Sequence, residues 1–123
     1  MGIHQELPVY KSTYDLLLAI FQFTKDFNKE YKYTVGESIK NETMSLLTLI
    51  YRANSRKDKM ELLQEARERI EVIRLFIRLM KDLHQISLPK FILINQKIED
   101  VSRQLAGWQK SLKSSKGRGD APL

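Results

Sequence analysis

The stretch that most constrains the fold is residues 65–86, EARERIEVIRLFIRLMKDLHQI, which carries two apolar rows at helical spacing. Both rows alternate steps of three and four residues: Leu63, Ala66, Ile70, Ile73, Ile77 and Met80 in the first, and Val72, Phe76, Leu79, Leu83 and Ile86 in the second. This spacing predicts a helix rather than a strand. Because two rows make a face too wide for one neighbour, we expect several helices, a second subunit or both to cover it.

Two helices are predicted before this one. The first begins near Pro8, which suits a first helical turn, and ends near Phe27. A polar and aromatic connection, residues 28–33, follows it. The second helix begins at Thr34, where Thr34-x-x-Glu37 has the form of a capping box, and ends near residue 54.

The long helix itself begins at the sequence Asp58-x-x-Glu61, after a turn of about three residues (55–57). Such a short turn joins antiparallel neighbours. The fourth helix begins with Ser87 as its N-cap and Pro89 in its first turn. It carries an unbroken apolar row: Phe91, Ile94, Ile98, Val101, Leu105, Trp108 and Leu112.

Four long helices with short turns and no strand pattern predict an all-α fold, an antiparallel up-down-up-down four-helix bundle over residues 8–113. We expect residues 1–7 to be a flexible N-terminus and residues 114–123 to be a disordered basic tail. The surplus apolar faces of the first and third helices predict a homo-oligomer, since apolar patches of that size are rare on monomers.

The composition argues against several classes of function. Cysteine is absent, which excludes thiolate metal sites and disulfides and fits a cytoplasmic protein. No segment approaches the roughly 18 apolar residues of a membrane span. The chain has no phosphate-binding loop, dinucleotide motif or nucleophile elbow. His84 falls on the core row of the third helix without a partner at a useful spacing. We therefore predict no cofactor, no metal, no small-molecule substrate and no enzymatic activity.

The charge distribution points to a polyanionic partner. The chain has a formal net charge of +6, and residues 101–119 contain no acid but five cations: Arg103, Lys110, Lys113, Lys116 and Arg118. A basic half of this kind indicates nucleic acid, and the sequence leaves RNA and DNA both open. The alternative is a solvated basic face whose charge only keeps an oligomeric scaffold soluble.

The narrow polar stripe of the third helix holds the strongest candidate residues. Arg74 and Arg78 lie there one turn apart. The full set of candidate nucleic-acid or partner contacts is Arg67, Arg74, Arg78, Lys81, Lys110, Lys113, Lys116 and Arg118. The alternative is that Arg74 pairs with Glu71 and Arg78 with Asp82, as exposed pairs that contribute only a few tenths of a kcal/mol.

Three segments together resemble a known family: FNKEYKYTVGESIKNETMSLLTLIYRAN at residues 27–54, IRLFIRLMKDLHQIS at residues 73–87, and a fourth helix with Gly107-Trp108. Their order and spacing resemble the accessory variability determinant (Avd) proteins of diversity-generating retroelements. That family is related to the four-helix-bundle proteins encoded in intervening sequences of bacterial 23S ribosomal RNA genes. The second branch remains an alternative, although Asn28 and the Ala53-Asn54 ending depart from its pattern.

The resemblance implies a barrel-like homopentamer with a basic surface. It also implies association with the retroelement reverse transcriptase and its template RNA, in a complex that makes mutagenised cDNA. The family's Arg-x-x-x-Arg pattern on the third helix matches Arg74 and Arg78, which are therefore expected to contribute to partner binding.

Overall fold

The computed structural model describes the backbone of residues 7–120 and the side chains of residues 7–114. The helices are α1 (Pro8–Thr24), the single turn α2 (Lys29–Lys32), α3 (Val35–Ser55), α4 (Lys59–Asp82) and α5 (Leu88–Asp120). The described residues contain no strand. The predicted flexible segment lies almost wholly outside the described residues. The last helix continues to Asp120, beyond the predicted bundle end at residue 113, and the disordered tail stays a prediction.

The four long helices form the predicted antiparallel bundle. Around its axis, α1 packs against α3, α3 against α4, α4 against α5, and α5 against α1. The pair α1–α3 therefore lies on the opposite side of the bundle from the pair α4–α5. This order results from the short connections, because each helix is followed by the neighbour that it packs against.

The core consists of one apolar row from each long helix. The first row of α4 is buried along its whole length, as is the row of α5 from Ile94 to Leu105. Three buried threonines, Thr13, Thr24 and Thr43, lie in the rows of α1 and α3. Thr13 Oγ1 donates to Val9 O at 2.7 Å and Thr43 Oγ1 to Ile39 O at 2.8 Å, so neither hydroxyl lacks a partner. The first predicted row of α4 and the middle of the predicted α5 row are confirmed as core, whereas the second α4 row is mostly exposed.

The start of α3 differs from the predicted capping box. Thr34 is the N-cap residue, but its side chain caps no amide of the helix. Thr34 Oγ1 instead donates to Glu30 O at 2.7 Å, because the turn α2 ends directly before α3 and offers a free carbonyl. Gly36 is buried against that turn, and a Cβ there would lie 3.2 Å from Tyr31 O. A close approach of two helices therefore determines this end.

Asp58 is the N-cap residue of α4, as predicted, but it also makes no side-chain cap. Instead Lys59 Nζ donates to the carbonyl oxygens of Ala53 (2.9 Å) and Arg56 (2.8 Å) at the end of α3. The cation thus hydrogen-bonds carbonyls that have no partner within the helix. Its charge also interacts favourably with the negative end of the helix dipole. The cap of α5 is as predicted, with Lys90 N donating to Ser87 Oγ at 3.4 Å.

His84 does not lie on the core row, and this prediction is wrong. It follows the end of α4, is exposed, and has a left-handed backbone with φ 61°. Gln85 N donates to Met80 O at 2.8 Å and His84 N to Lys81 O at 3.0 Å. These two bonds form a Schellman motif, in which the residue at the His84 position is usually glycine. The helical periodicity ends there because the backbone reverses its hand.

We expect His84→Gly to stabilise the bundle by about 0.5–1 kcal/mol, since glycine adopts positive φ without the steric cost of a Cβ. His84→Val is the matched variant, because a β-branched residue is strained there, and it should destabilise. Urea unfolding of the two variants and the parent measures both changes. A loss of stability in the glycine variant would show that the imidazole contacts stabilise the folded bundle by more than the positive φ of His84 destabilises it.

Candidate nucleic-acid and partner interface

Arg74, the first candidate on α4, is engaged within the bundle. Its side chain is 27% exposed. Nε donates to Glu71 Oε1 at 3.0 Å, and Nη1 donates to Glu99 Oε2 on α5 at 2.5 Å. Burial, the largest single influence, lowers the pKa of Arg74, but the hydrogen bonds and charges of Glu71 and Glu99 together raise it above its ordinary value. The predicted pair with Glu71 is confirmed, and Glu99 adds a bridge between two helices.

Arg78 is the more exposed cation of the two, and the predicted pair with Asp82 is present as a weak contact. Its side chain is 74% exposed, and its nearest carboxylate oxygen, Asp82 Oδ2, lies 3.9 Å from Nε. At that distance the contact is an ion pair without a hydrogen bond. Lys81 is less available, because its Nζ lies 5.2 Å from the centre of the Phe91 ring and 4.0 Å from Asp82 Oδ1. Of the three cations at this end of α4, Arg78 is the one best placed to bind a partner.

Arg67 belongs to a polar network between α4 and α5. Its Nη1 donates to Gln109 Oε1 at 2.6 Å, and Gln109 Nε2 donates to Gln64 Oε1 at 3.0 Å. Gln109 is almost fully buried. Both its amide oxygen and its amide nitrogen bond to side chains of α4, so this network determines the register of the two helices. Arg67 is thus bonded to α5, although its side chain is still exposed.

Lys110 and Lys113 are exposed on α5 beyond this network. The side chains of Lys116 and Arg118 lie outside the described residues. Three cations outside the predicted set are also exposed, around the turn between α3 and α4: Arg52, Arg56 and Lys57. The run RANSRKDK contains the signal that could have found them, since it has four cations and one acid in eight residues.

Two groups of exposed apolar side chains lie on the bundle. The α1–α3 surface consists of Tyr14, Leu18, Phe21, Met44 and Tyr51. The second group, named the α4–α5 surface after the helices that carry it, consists of exposed side chains of α4 and of the start of α5: Val72, Leu75, Leu79, Leu83, Leu88 and Ile92. Lys40 Nζ on α3 lies 5.2 Å from the centre of the Phe21 ring, so the aromatic stripe of α1 faces α3. In the second row of α4, all residues except Phe76 and Ile86 are exposed in the single chain.

The described residues contain no group of side chains suited to metal binding and no helix long and apolar enough to cross a membrane. The cleft between α3 and α4 is open to solvent, and its lining includes Asn41, Ser45 and Arg69. The prediction of a cytoplasmic protein stays a prediction.

A family model described as bAvd-like matches residues 7–112, nearly all of the described chain, and agrees with the resemblance found in the sequence. This is a family of accessory, non-catalytic proteins, and membership implies association with components of diversity-generating retroelements. No curated protein sequence matches the chain. With four antiparallel helices spanning the matched residues, the chain belongs to the bAvd-like family.

Proposed function

We propose that the protein is a non-catalytic accessory subunit of a diversity-generating retroelement that binds the reverse transcriptase and structured template RNA and thereby supports mutagenic cDNA synthesis. The observation that carries this proposal is the family match over residues 7–112 together with exposed, weakly paired cations on the bundle. The protein would supply phosphate contacts and a docking surface, and the polymerase would supply the chemistry.

We propose further that the active form is a homopentameric ring. The support is that the bundle carries two different exposed apolar surfaces, because a patch that meets a different patch on the next copy makes a heterologous contact. Heterologous contacts close into rings when the rotation between copies allows it. The number five comes from the resemblance to the Avd proteins.

Arg78 is the residue that we propose for polymerase docking, and Arg74 is its structural counterpart. Arg78→Ala should lower recovery of the cognate reverse transcriptase by roughly tenfold or more, since a charge-assisted hydrogen bond contributes about 1.5–3 kcal/mol. The ring mass and the unfolding midpoint should not change. The measurement is co-purification of tagged polymerase with each variant, with the mass of the variant determined alongside by light scattering.

Arg74→Ala is the matched control on the same helix. It removes the α4–α5 bridge and leaves Glu71 and Glu99 without their cation, so we expect a loss of about 1–2 kcal/mol in unfolding free energy. Polymerase recovery at a temperature where the variant is folded should stay near that of the parent. The reverse pattern, with Arg74→Ala losing the polymerase and Arg78→Ala retaining it, would assign docking to Arg74.

The alternative from the 23S intervening-sequence branch is an RNA-associated bundle without a polymerase partner. It predicts RNA binding with no recovery of any reverse transcriptase. The plain scaffold predicts neither. The same co-purification and an RNA titration therefore separate the three functions.

A further inference from the structure

One end of the bundle gathers cations that pair with no carboxylate among residues 7–114. This basic end consists of the turn between α3 and α4 and the last described turns of α5: Arg52, Arg56, Lys57, Lys110 and Lys113. All five are exposed, and none forms an ion pair within residues 7–114. Asp58 and Glu61 are the acids closest to them in the turn and the first turn of α4.

The register of α4 and α5 brings the two segments together. Gln109 is bonded to Gln64 and Arg67, so this level of α5 lies beside the second turn of α4. At about 1.5 Å per helical residue, Lys113 lies about 6 Å further along the axis, toward the start of α4 at Lys59. Arg56 and Lys57 precede the N-cap residue Asp58 of that helix. The cations of both segments therefore share one end of the bundle.

The opposite end has cations as well, but most of them are engaged. Lys90 Nζ lies 3.6 Å from Asp26 Oδ2 and 5.9 Å from the centre of the Phe23 ring. Lys81 has Asp82 and the Phe91 ring as its neighbours. Lys25 and Lys29 are exposed there, and Arg78, one turn from the end of α4, lies 3.9 Å from Asp82. The two ends differ in the arrangement of acids more than in the number of bases.

We propose that the basic end binds the phosphate backbone of structured RNA, at a surface separate from the polymerase-docking residue Arg78. The inference rests on the proposed function and adds the location of the RNA contact. The apolar surfaces lie on the sides of the bundle, so the basic end remains accessible in a ring built from those sides. Repeated around the ring, it forms a rim of positive potential, which suits the phosphates of a folded RNA.

An anionic membrane fits the basic end less well, because the exposed apolar side chains that would insert into lipid lie elsewhere on the bundle.

The test uses two double variants of the full chain, Arg56→Gln/Lys57→Gln and Lys110→Gln/Lys113→Gln. The control, Lys25→Gln/Lys29→Gln, removes the same charge from the opposite end. The probe is a labelled RNA hairpin, titrated in a salt series, with the same hairpin in DNA as a comparison. We expect the affinity of each basic-end variant to fall roughly tenfold or more. The slope of log affinity against log salt should fall by about 0.7–0.9 for each phosphate that the variant no longer neutralises.

The control variant should bind RNA with nearly the parental affinity and slope. Equal losses of affinity in all three variants, or no loss in either basic-end variant, would overturn the location while RNA binding by the parent still stands. No RNA binding by the parent at low salt would overturn both this inference and the RNA part of the proposed function. Polymerase recovery is measured separately and would be unaffected. Binding to anionic vesicles in place of RNA would also overturn the proposal.

Discussion

Leu18→Glu and Leu75→Glu should each reduce the assembly to a monomer, and an equimolar mixture of the two variants should recover a dimer. Leu18 is 50% exposed on the α1–α3 surface and Leu75 is 63% exposed on the α4–α5 surface. Neither side chain contributes to the buried core, so both variants should retain the helical bundle. A carboxylate placed in a closed apolar contact has no partner and must be desolvated, which prevents association.

The mixture is informative because the contact is heterologous. Each variant retains the surface that is altered in the other, so one intact contact can form between them, and the ring cannot close. Sedimentation velocity or light scattering gives the masses directly. Asn41→Glu, which adds the same charge on an exposed polar part of α3, serves as the control and should leave the ring intact.

Two other results would contradict this arrangement. If either single variant formed a stable dimer by itself, its remaining surface would be pairing with the same surface of another copy, which is an isologous contact. If the parent were a monomer, the two apolar surfaces would have another partner. Circular dichroism of each variant excludes the simpler explanation that the chain unfolds.

Ile73→Ala should lose about 2–5 kcal/mol of unfolding free energy, whereas Leu75→Ala in the same helix should lose less than about 1 kcal/mol. Ile73 is fully buried in the first row of α4, and its truncation leaves a cavity that close-packed neighbours fill only partly. Leu75 lies two residues away and faces outward. The pair therefore measures which apolar side of α4 the bundle covers.

The comparison requires a monomeric background, because the ring would bury Leu75. Both substitutions are therefore made in the Leu18→Glu variant and measured by urea unfolding, with the slope of free energy against urea compared between variants. Equal losses of stability would mean that the two sides of α4 are covered alike within one chain. If Ile73→Ala and Leu75→Ala lose equal stability only in the parental background, the loss at Leu75 would reflect its burial in the subunit interface.

Much of the fold follows from local patterns in the sequence. The spacing of Ile70, Ile73 and Ile77 identifies a helical face without knowledge of any neighbour. Ser87 and Pro89 mark the start of α5 because capping and the missing proline amide act within one turn. Short turns then leave antiparallel packing as the natural arrangement. The number of long helices, their order and the first core row of α4 all follow from such local patterns.

Other features depended on residues distant in the chain. Thr34 bonds to a carbonyl of α2 instead of capping α3, because a helical turn ends beside it. Glu99, which holds Arg74, is 25 positions away from it. His84 adopts positive φ because the chain must reverse between α4 and α5. A pattern of residue types contains no distances between helices, so it predicted none of these three.

The features of the candidate site also fall into two groups, those that the sequence sets and those that packing sets. By itself, the sequence determined that cations occupy the polar stripe of α4 and the end of α5, since composition and periodicity are properties of the chain alone. Only the tertiary structure decided that two carboxylates hydrogen-bond Arg74 while Arg78 stays mostly exposed beside Asp82, and that the turn after α3 joins the end of α5 in one basic end. The physical reason is that a charge acts over a few ångströms in space, and only packing decides which opposite charges come within that distance.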